Sequence, residues 1–229
     1  MSPLITRASG GADGEEFRAL LRDSAPDQAA RAMLGGVLTH GPVSVQILEV
    51  EAYGGPPDSE YPDPAAHTWP GPTPRNEVMF GDAGHLYVYL SHGIHHCVNI
   101  TCRSVGQGGG VLLRAARVEV GHDVVDTRRP GIPVERSARG PGNLGRTLGI
   151  DLSMRGTDVL DSSSSVTFRP APAPEGMIRR GPRVGVSREV DRPWRFWLAG
   201  AREVSAYRRS PRAPRLTRPV VAEQDDGGQ

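Results

Sequence analysis

Lysine does not occur in this chain of 229 residues, and all 27 of its basic residues are arginine. No side chain therefore carries an amine, which excludes Schiff-base catalysis by a lysine. Cysteine is nearly absent as well, since only Cys97 and Cys102 occur, and so few cysteines exclude a disulfide framework and predict a reduced, intracellular protein. No signal-peptide core and no apolar run long enough to span a bilayer is present, so we predict no membrane partner and a cytoplasmic location.

The net charge of +1 is the sum of two unequal halves. Residues 1–80 contain 5 Arg and 11 acidic residues, whereas residues 81–229 contain 22 Arg and 15 acidic residues. A basic half permits a surface that faces phosphates. The Arg-rich window 202–218 is equally well explained as a solvated tail.

The chain divides into a flexible leader (1–13), one folded domain (14–206) and an Arg/Pro-rich tail (207–229) that we predict to be disordered. Apolar residues at helical spacing predict two helices separated by a proline, and Gly35-Gly36 ends the second. A strand follows over 43–51, and a Pro/Gly-rich stretch over 54–76 is too long for a simple connector.

Alternating patterns predict the later strands. "HLYVYL" and "HHCVNITC" form a hairpin around "SHGI", and further strands are predicted at "VLLRAARVEV", "SSVTFRP", "RVGVS" and "RFWLAG". "GPGNLGRTLGI" is predicted to begin a helix. The pattern indicates a single-domain α+β fold, mainly a curved antiparallel sheet with flanking helices.

The segment "ILEVEAYGG" contains the most informative pattern. On a regular strand, Glu49, Glu51 and Tyr53 share the face of the apolar residues before them, where unpaired carboxylates are costly. One acid could be exposed at the strand end while the other pairs with an arginine such as Arg114. Alternatively, Glu51 is a general base that activates water together with Arg114, and Tyr53 is one wall of a pocket.

Tyr87, Tyr89 and Asn99 are predicted on the polar face of the hairpin. Ordinary cross-strand packing explains the tyrosines. A slot with aromatic walls and one amide also suits a nucleobase, which presents a π-face and polar edges. Arg75 in "TPRN" is either a solvated turn residue or a phosphate contact. The histidines and two cysteines lack metal-ligand spacing, so we predict no metal site.

In order and spacing, "EVEAYGG", "AAH", "TPRN", "LYVYLSHGIHHCVNI" and "VLLRA" together resemble the alkyladenine (3-methyladenine) DNA glycosylase family. "GPG", "RVGV" and "RFW" extend the resemblance, which covers residues 15–207. It implies a monomeric, nucleoid-associated DNA repair enzyme without cofactor or lyase activity. Such an enzyme flips damaged purines out of duplex DNA and hydrolyses the N-glycosidic bond. The implied substrates are alkylated purines such as 3-methyladenine, together with hypoxanthine and ethenoadenine.

The resemblance also implies roles for individual residues. Glu51 matches the general base, and Arg114 and a backbone carbonyl near Val184 help to hold the water. The residues that enclose or select the flipped base are Tyr53, His67, Tyr89 and Asn99. His92 and Gly93 occupy the hairpin tip that fills the gap in the duplex, and His92 stands where better-studied members have tyrosine.

Three other functions remain compatible with the sequence. The chain could be a catalytically weak DNA-binding relative of this family, a metal-dependent hydrolase that uses the histidines, or a small-molecule transferase. An intact set of Glu51, Arg114, Tyr53 and Asn99 favours the glycosylase.

Overall fold

The computed structural model describes residues 10–214, which form five α-helices and eight β-strands. The helices are α1 (Gly10–Asp23), α2 (Pro26–Met33), α3 (His122–Arg128), α4 (Val134–Ser137) and α5 (Pro141–Leu148). The strands are β1 (Val37–His40), β2 (Val43–Tyr53), β3 (Leu86–Ser91), β4 (His95–Thr101), β5 (Gly110–Val120), β6 (Val166–Arg169), β7 (Ile178–Gly181) and β8 (Arg195–Leu198).

All eight strands pair antiparallel in one sheet, whose main order is β3-β4-β5-β2-β1-β6. On the side of β2 away from β5, β1 pairs with the first part of the strand and β8 pairs with residues 49–51. β7 then pairs with β8. A long strand that changes its neighbour in this way gives a curved sheet, and the predicted α+β class is confirmed.

The helices cover one face of this sheet. In α2, Pro26 stands in the first turn and Ala29, Ala30 and Met33 are fully buried on the stripe that faces β2. α5 packs on β4 and buries Leu144 in the same main core. Within residues 10–214 no helix is both long and apolar enough to cross a membrane.

The hairpin of β3 and β4 follows the predicted alternation. Val88 and Val98 face the main core, whereas Tyr87 and Asn99, which are register partners, face the other side of the sheet. The polar face of this hairpin is therefore free to line a site.

Several predicted boundaries change. α1 begins at Gly10, so residues 10–13 belong to a helix and not to the leader. Residues 207–214 form no helix or strand, and the rest of the predicted leader and tail (1–9 and 215–229) lies outside the described residues. β1, β7, α3 and α4 were not predicted.

The predicted strand "RVGVS" is wrong. Residues 183–187 form a loop directly after β7. Gly185 has a φ of +74°, and the N–H of Val184 donates to a side chain instead of a sheet ladder. The backbone of this segment therefore binds a side chain and does not extend the sheet.

Candidate active site

An irregularity in β2 decides where its carboxylates point. The register of β2 against β5 shifts after Ile47 and again after Glu49, which leaves Leu48 and Arg114 without a cross-strand partner. Ile47 and Val50 therefore both enter the main core, although residues three apart lie on opposite faces of a regular strand.

This irregularity corrects the prediction that Glu49, Glu51 and Tyr53 share the face of the apolar residues before them. Alternation holds on each side of Leu48 but not across it. The acids lie on the face opposite the main core, and Arg114 of β5 lies between them. Ion pairs with Arg114 thus offset the free-energy cost of burying these carboxylates.

Glu51 is fully buried and accepts three hydrogen bonds. Its Oε1 accepts from the backbone N–H of Val184 at 2.6 Å, and its Oε2 accepts from the Tyr53 hydroxyl at 2.9 Å and from Arg114 Nη1 at 3.3 Å. The contact that Val184 makes with this carboxylate is through its N–H, whereas the resemblance implied a role for a carbonyl.

Glu49 is equally buried but has more donors. Its Oε1 accepts from Arg114 Nε at 3.1 Å, Arg195 Nε at 2.7 Å and Ser205 Oγ at 2.8 Å, and its Oε2 accepts from Ser205 N at 2.7 Å. A carboxylate offers about four acceptor sites. Four of the chain's own donors contact Glu49, against three for Glu51, whose Oε1 accepts only one hydrogen bond and retains a site for another proton donor.

The two carboxylates also fix the charge of their shared arginine. Burial acts to lower the pKa of Arg114, but the charges of Glu51 and Glu49 outweigh it and raise that pKa. Arg114 therefore stays cationic between two anions, as its predicted pairing with Glu51 requires.

Tyr53 connects Glu51 to an open cleft. Burial and the charge of Glu51 hold the pKa of Tyr53 well above its ordinary value, so its hydroxyl remains a donor. Behind the ring lies the Arg183 guanidinium, 4.7 Å from the ring centroid and 1% exposed. Arg183 forms a buried two-pronged pair with Asp63, through Nη1 to Oδ2 and Nη2 to Oδ1 at 2.5 and 2.9 Å.

The pair of Asp63 and Arg183 holds three chain segments together. Arg183 Nη1 also donates to the carbonyl of Ala52, and Asp63 accepts from the backbone N–H groups of Gly54 and Ala65. Burial opposes ionisation of Asp63, but the hydrogen bonds and charge of Arg183 outweigh it and lower the pKa of that carboxyl. The pair thereby fixes the Pro/Gly-rich loop beside Tyr53.

The cleft encloses about 370 Å³, including its open mouth. Its lining is mainly aromatic and apolar, with one amide: Tyr53, Ala65, His67, Met79, Tyr87, Tyr89, Asn99 and Leu112. Four of the predicted base-binding residues are thus brought together. Glu51 accepts from the hydroxyl of Tyr53 and from Arg114, so the predicted catalytic pair adjoins the same site.

His67 faces Tyr89 edge-on, with ring centroids 4.6 Å apart. Its Nδ1 is hydrogen-bonded to the Tyr87 hydroxyl at 3.0 Å, so Nε2 is the nitrogen available to a ligand. Burial, and then the charge of Arg75, lower the pKa of His67. The imidazole is therefore neutral at neutral pH.

At the floor of the cleft, Asn99 Nδ2 donates to the carbonyl of Tyr87 at 3.1 Å, which fixes the orientation of the amide. Burial raises the pKa of both tyrosines of β3. The wall and floor of the cleft are therefore neutral and pre-oriented.

The hairpin tip is exposed and strained. His92 and Gly93 both have positive φ, +51° and +73°, and this conformation is unfavourable for a residue with a side chain. The His92 ring is hydrogen-bonded to Ser91 Oγ at 3.0 Å. Next to it, Ile94 is 71% exposed, a large apolar side chain that sequence reasoning did not single out.

In "TPRN", Arg75 is exposed, with its guanidinium 6.0 Å from the Tyr89 ring centroid at the cleft mouth. The buried residue is Asn76, whose Nδ2 donates to the carbonyls of His67 and Gly71 at 2.8 and 3.0 Å. The motif thus anchors the loop that carries His67. Sequence reasoning identified Arg75 and missed this anchor.

Other contributors were also missed. Asp63, Arg183 and Ser205 lie in irregular segments. The pair of Asp63 and Arg183 spans 120 residues of the chain, and the contact of Ser205 with Glu49 spans 156. No local pattern reveals such pairs. Over residues 10–214, no group of three His, Cys, Asp or Glu side chains is placed to hold a metal ion.

Known proteins match this chain over most of its length. The family model described as "Methylpurine-DNA glycosylase (MPG)" matches residues 20–202. A protein of Mycobacterium sp. (strain KMS) is 58% identical over 191 residues, which are 82% of this chain and 92% of that protein. Proteins of Nocardia farcinica (strain IFM 10152) and Rhodococcus jostii (strain RHA1) are 54% identical over 191 residues and 53% over 195 residues.

The Nocardia match covers 82% of this chain and 90% of the relative, and the Rhodococcus match covers 84% and 86%. All three relatives carry the name "Putative 3-methyladenine DNA glycosylase". A family match of this extent, together with relatives above 50% identity, bears out the resemblance drawn from the motifs. The chain therefore belongs to the methylpurine-DNA glycosylase family and is a DNA glycosylase of the 3-methyladenine type.

Proposed function

We propose that this enzyme swings a damaged purine out of duplex DNA into the cleft beside Tyr53 and hydrolyses its N-glycosidic bond with a water activated by Glu51. The substrates are alkylated purines such as 3-methyladenine, together with hypoxanthine and ethenoadenine. The observation that carries the proposal is the position of Glu51. This buried carboxylate accepts a hydrogen bond from Tyr53, which lines the aromatic cleft, and it retains an acceptor site for a water.

Binding follows from the walls of the cleft. Unpairing a base costs a few kcal/mol, and less when the base is damaged. Stacking on an aromatic ring contributes about 1–3 kcal/mol per base, so Tyr53 on one side and the rings of His67 and Tyr89 on the other offset that cost. Nε2 of His67 hydrogen-bonds the edge of the base.

Asn99 supplies selectivity. Its amide is held in place by the carbonyl of Tyr87, so it cannot turn away from an incoming base. A purine with a 2-amino group presents a donor and additional bulk at that position, and the fixed amide disfavours it. Guanine is rejected in this way, whereas hypoxanthine and adenine derivatives lack that group.

Bond cleavage develops positive charge on the sugar, as in other glycoside hydrolyses. The Glu51 carboxylate stabilises this charge and accepts a proton from water as the water oxygen bonds to C1′. The electron pair of the broken C1′–N bond leaves with the base. A 3-alkylated adenine is cationic in the nucleoside, so it departs neutral and needs no proton from the enzyme. Hypoxanthine and ethenoadenine are neutral in the nucleoside, so each departs as an anion and takes up one proton from solvent.

Arg114 and the N–H of Val184 hold Glu51 in place during this step. The His92-Gly93 tip fills the gap that the flipped base leaves, and Arg75 at the cleft mouth contacts a phosphate. Histidine at the tip buries less apolar area than tyrosine, and the exposed Ile94 beside it adds to the wedge.

The reaction stops at an abasic site. Enzymes that also cut the backbone form an imine through an amine, and no lysine is present in this chain. We propose a monofunctional enzyme that acts as a monomer and requires no cofactor.

The test is a panel of duplexes, each carrying one damaged purine, scored for free base and for strand integrity. Wild type is expected to release base and leave an uncut strand with an abasic site, and Glu51→Gln is expected to bind the same duplexes without release. Equal release by both proteins would show that Glu51 is not the general base. Binding without release by either protein would favour the alternative function, a catalytically weak DNA-binding relative of this family.

A further inference from the structure

A second cleft lies against the hairpin, on the other face of the sheet from the base cleft. We call it the α5 cleft; it is open, about 860 Å³, and is lined among others by Ile94, His95, His96, Arg129, Arg146 and Asp151. α5 packs on β4 through Leu144 and Leu148, in the core that also contains Val98. The hairpin therefore has a cleft on each face.

The α5 cleft contains cations that the protein does not neutralise. The side chain of Arg146 is exposed and has no hydrogen-bond or ion-pair partner within residues 13–214. Arg129 Nη2 donates to Asn143 Oδ1 at 2.7 Å, but its Nε is buried without a partner. Burial and the nearby charge of Arg146 both lower the pKa of Arg129, which indicates uncompensated positive charge.

The one acid that lines the cleft, Asp151, does not cancel this charge. Asp151 accepts from Ser153 N at 2.8 Å and from Ser153 Oγ at 2.6 Å, so much of its acceptor capacity is used locally. The two guanidiniums of the lining face only one carboxylate, which leaves the cleft net positive. A fixed cleft of positive charge selects an anion.

Glycines bring this charge close to the hairpin. A Cβ on Gly142 would lie 2.7 Å from Cβ of His95, and one on Gly145 would lie 2.1 Å from the carbonyl oxygen of His96. Only glycine permits this approach of α5 to β4. The position of Arg146 relative to the hairpin tip is therefore set by helix packing and not by a loop.

We propose that the α5 cleft binds a backbone phosphate of the undamaged strand, through Arg146 and Arg129. This inference rests on the proposed function, in which the hairpin tip enters the duplex. Each groove of a duplex is bordered by the backbones of both strands, so an inserted hairpin meets one strand on each face. The damaged strand occupies the face of the base cleft, and the α5 face meets its complement.

The first experiment measures the salt dependence of binding. Each phosphate contact to duplex DNA contributes about 0.9 to the slope of log K against log salt concentration. Arg146→Gln is expected to reduce the slope for a lesion duplex by about that amount relative to wild type. Arg169→Gln, the same charge change on β6 at the opposite end of the sheet order, is the matched control and is expected to leave the slope unchanged.

The second experiment identifies the strand. Neutral methylphosphonate linkages are placed one at a time in either strand of the lesion duplex, and binding is measured for wild type and Arg146→Gln. At one linkage of the undamaged strand, wild type should lose more affinity than the variant, in which only Arg129 still faces that phosphate. The inference would be overturned if this difference in affinity loss between the two proteins occurred only at linkages of the damaged strand, or at no linkage of either strand.

The two proposals fail in different ways. A wild-type protein that neither binds nor processes lesion duplexes refutes the proposed function. A wild-type protein that does both, with an Arg146→Gln slope equal to that of wild type, refutes only the phosphate site. Since Arg146 lies outside the base cleft, Arg146→Gln should retain base release at saturating enzyme and low salt.

Discussion

Glu49 and Glu51 are separated by one residue and are equally buried, yet the structure predicts opposite consequences when each is changed to glutamine. Glu49→Gln removes an anion from four donors, and it leaves Arg195 Nε and Arg114 Nε without a charged partner. Glu51→Gln leaves Arg114 still paired with Glu49. Stability should therefore depend mainly on Glu49, and catalysis on Glu51.

The magnitudes follow from the contacts. Breaking a buried ion pair costs about 3–5 kcal/mol, and each kcal/mol lowers Tm by about 2–4 °C in a protein of this size. Glu49→Gln should therefore lower Tm by roughly 6–20 °C. Glu51→Gln leaves hydrogen-bonding groups but no charge unpaired, which costs about 1–3 kcal/mol.

The catalytic effect is reversed. Loss of a general base lowers the rate by about 10²–10⁴-fold, and this is expected for Glu51→Gln. Glu49→Gln, assayed well below its Tm, should keep most of its rate because Glu51, Tyr53 and the cleft are unchanged.

The assays are thermal unfolding and single-turnover base release from one lesion duplex, run on wild type and both variants. Wild-type release by Glu51→Gln would refute the assignment of the base. A Glu49→Gln protein that unfolds like wild type but has lost its activity would also refute this assignment, because Glu49 would then be the catalytic carboxylate.

Four further outcomes are expected. Tyr53→Phe removes one donor to Glu51 and keeps the stacking ring, so the free energy of unfolding should change by only about 1 kcal/mol. Tyr53→Ala removes the ring as well, so binding to a lesion duplex should weaken by about 1–3 kcal/mol. Asn99→Ala should reduce discrimination between hypoxanthine and guanine by roughly 10–100-fold in competing release assays. Because the pKa of Asp63 is lowered in the folded protein, its pair with Arg183 stabilises the fold above the ordinary carboxyl pKa and is lost as pH falls through the lowered one; below about pH 4, Tm should drop more steeply in wild type than in Asp63→Asn. Borohydride should trap no covalent complex with lesion DNA, and a trapped complex would contradict hydrolysis by water alone.

Much of the fold was predictable because the relevant patterns are local. The alternation in β3 and the stripe of Ala29, Ala30 and Met33 in α2 each arise from residues within one element, so periodicity identifies them. Periodicity does not predict the irregularity of β2 at Leu48. Nothing in "VQILEVEA" distinguishes a regular strand from one with an extra residue, and the shift appears only when β2 pairs with β5.

The site was predictable where the sequence shows chemistry and hidden where it depends on distant contacts. Glu51, Tyr53 and Arg114 stand out as polar groups within apolar strands. Ser205 and Arg183 do not, because each completes a buried carboxylate more than 100 residues away in the chain. Val184 was assigned to a strand because its neighbours alternate, although its N–H is committed to Glu51.

The most direct measurement uses the lesion that wild type releases fastest, with 2-aminopurine as its neighbour in the duplex. This fluorescent base brightens when it loses its stacking partner, so it reports flipping whatever the lesion is. With Glu51→Gln, we expect increased emission on binding and no free base. Bound protein with unchanged emission, or free base appearing at the wild-type rate, would contradict it.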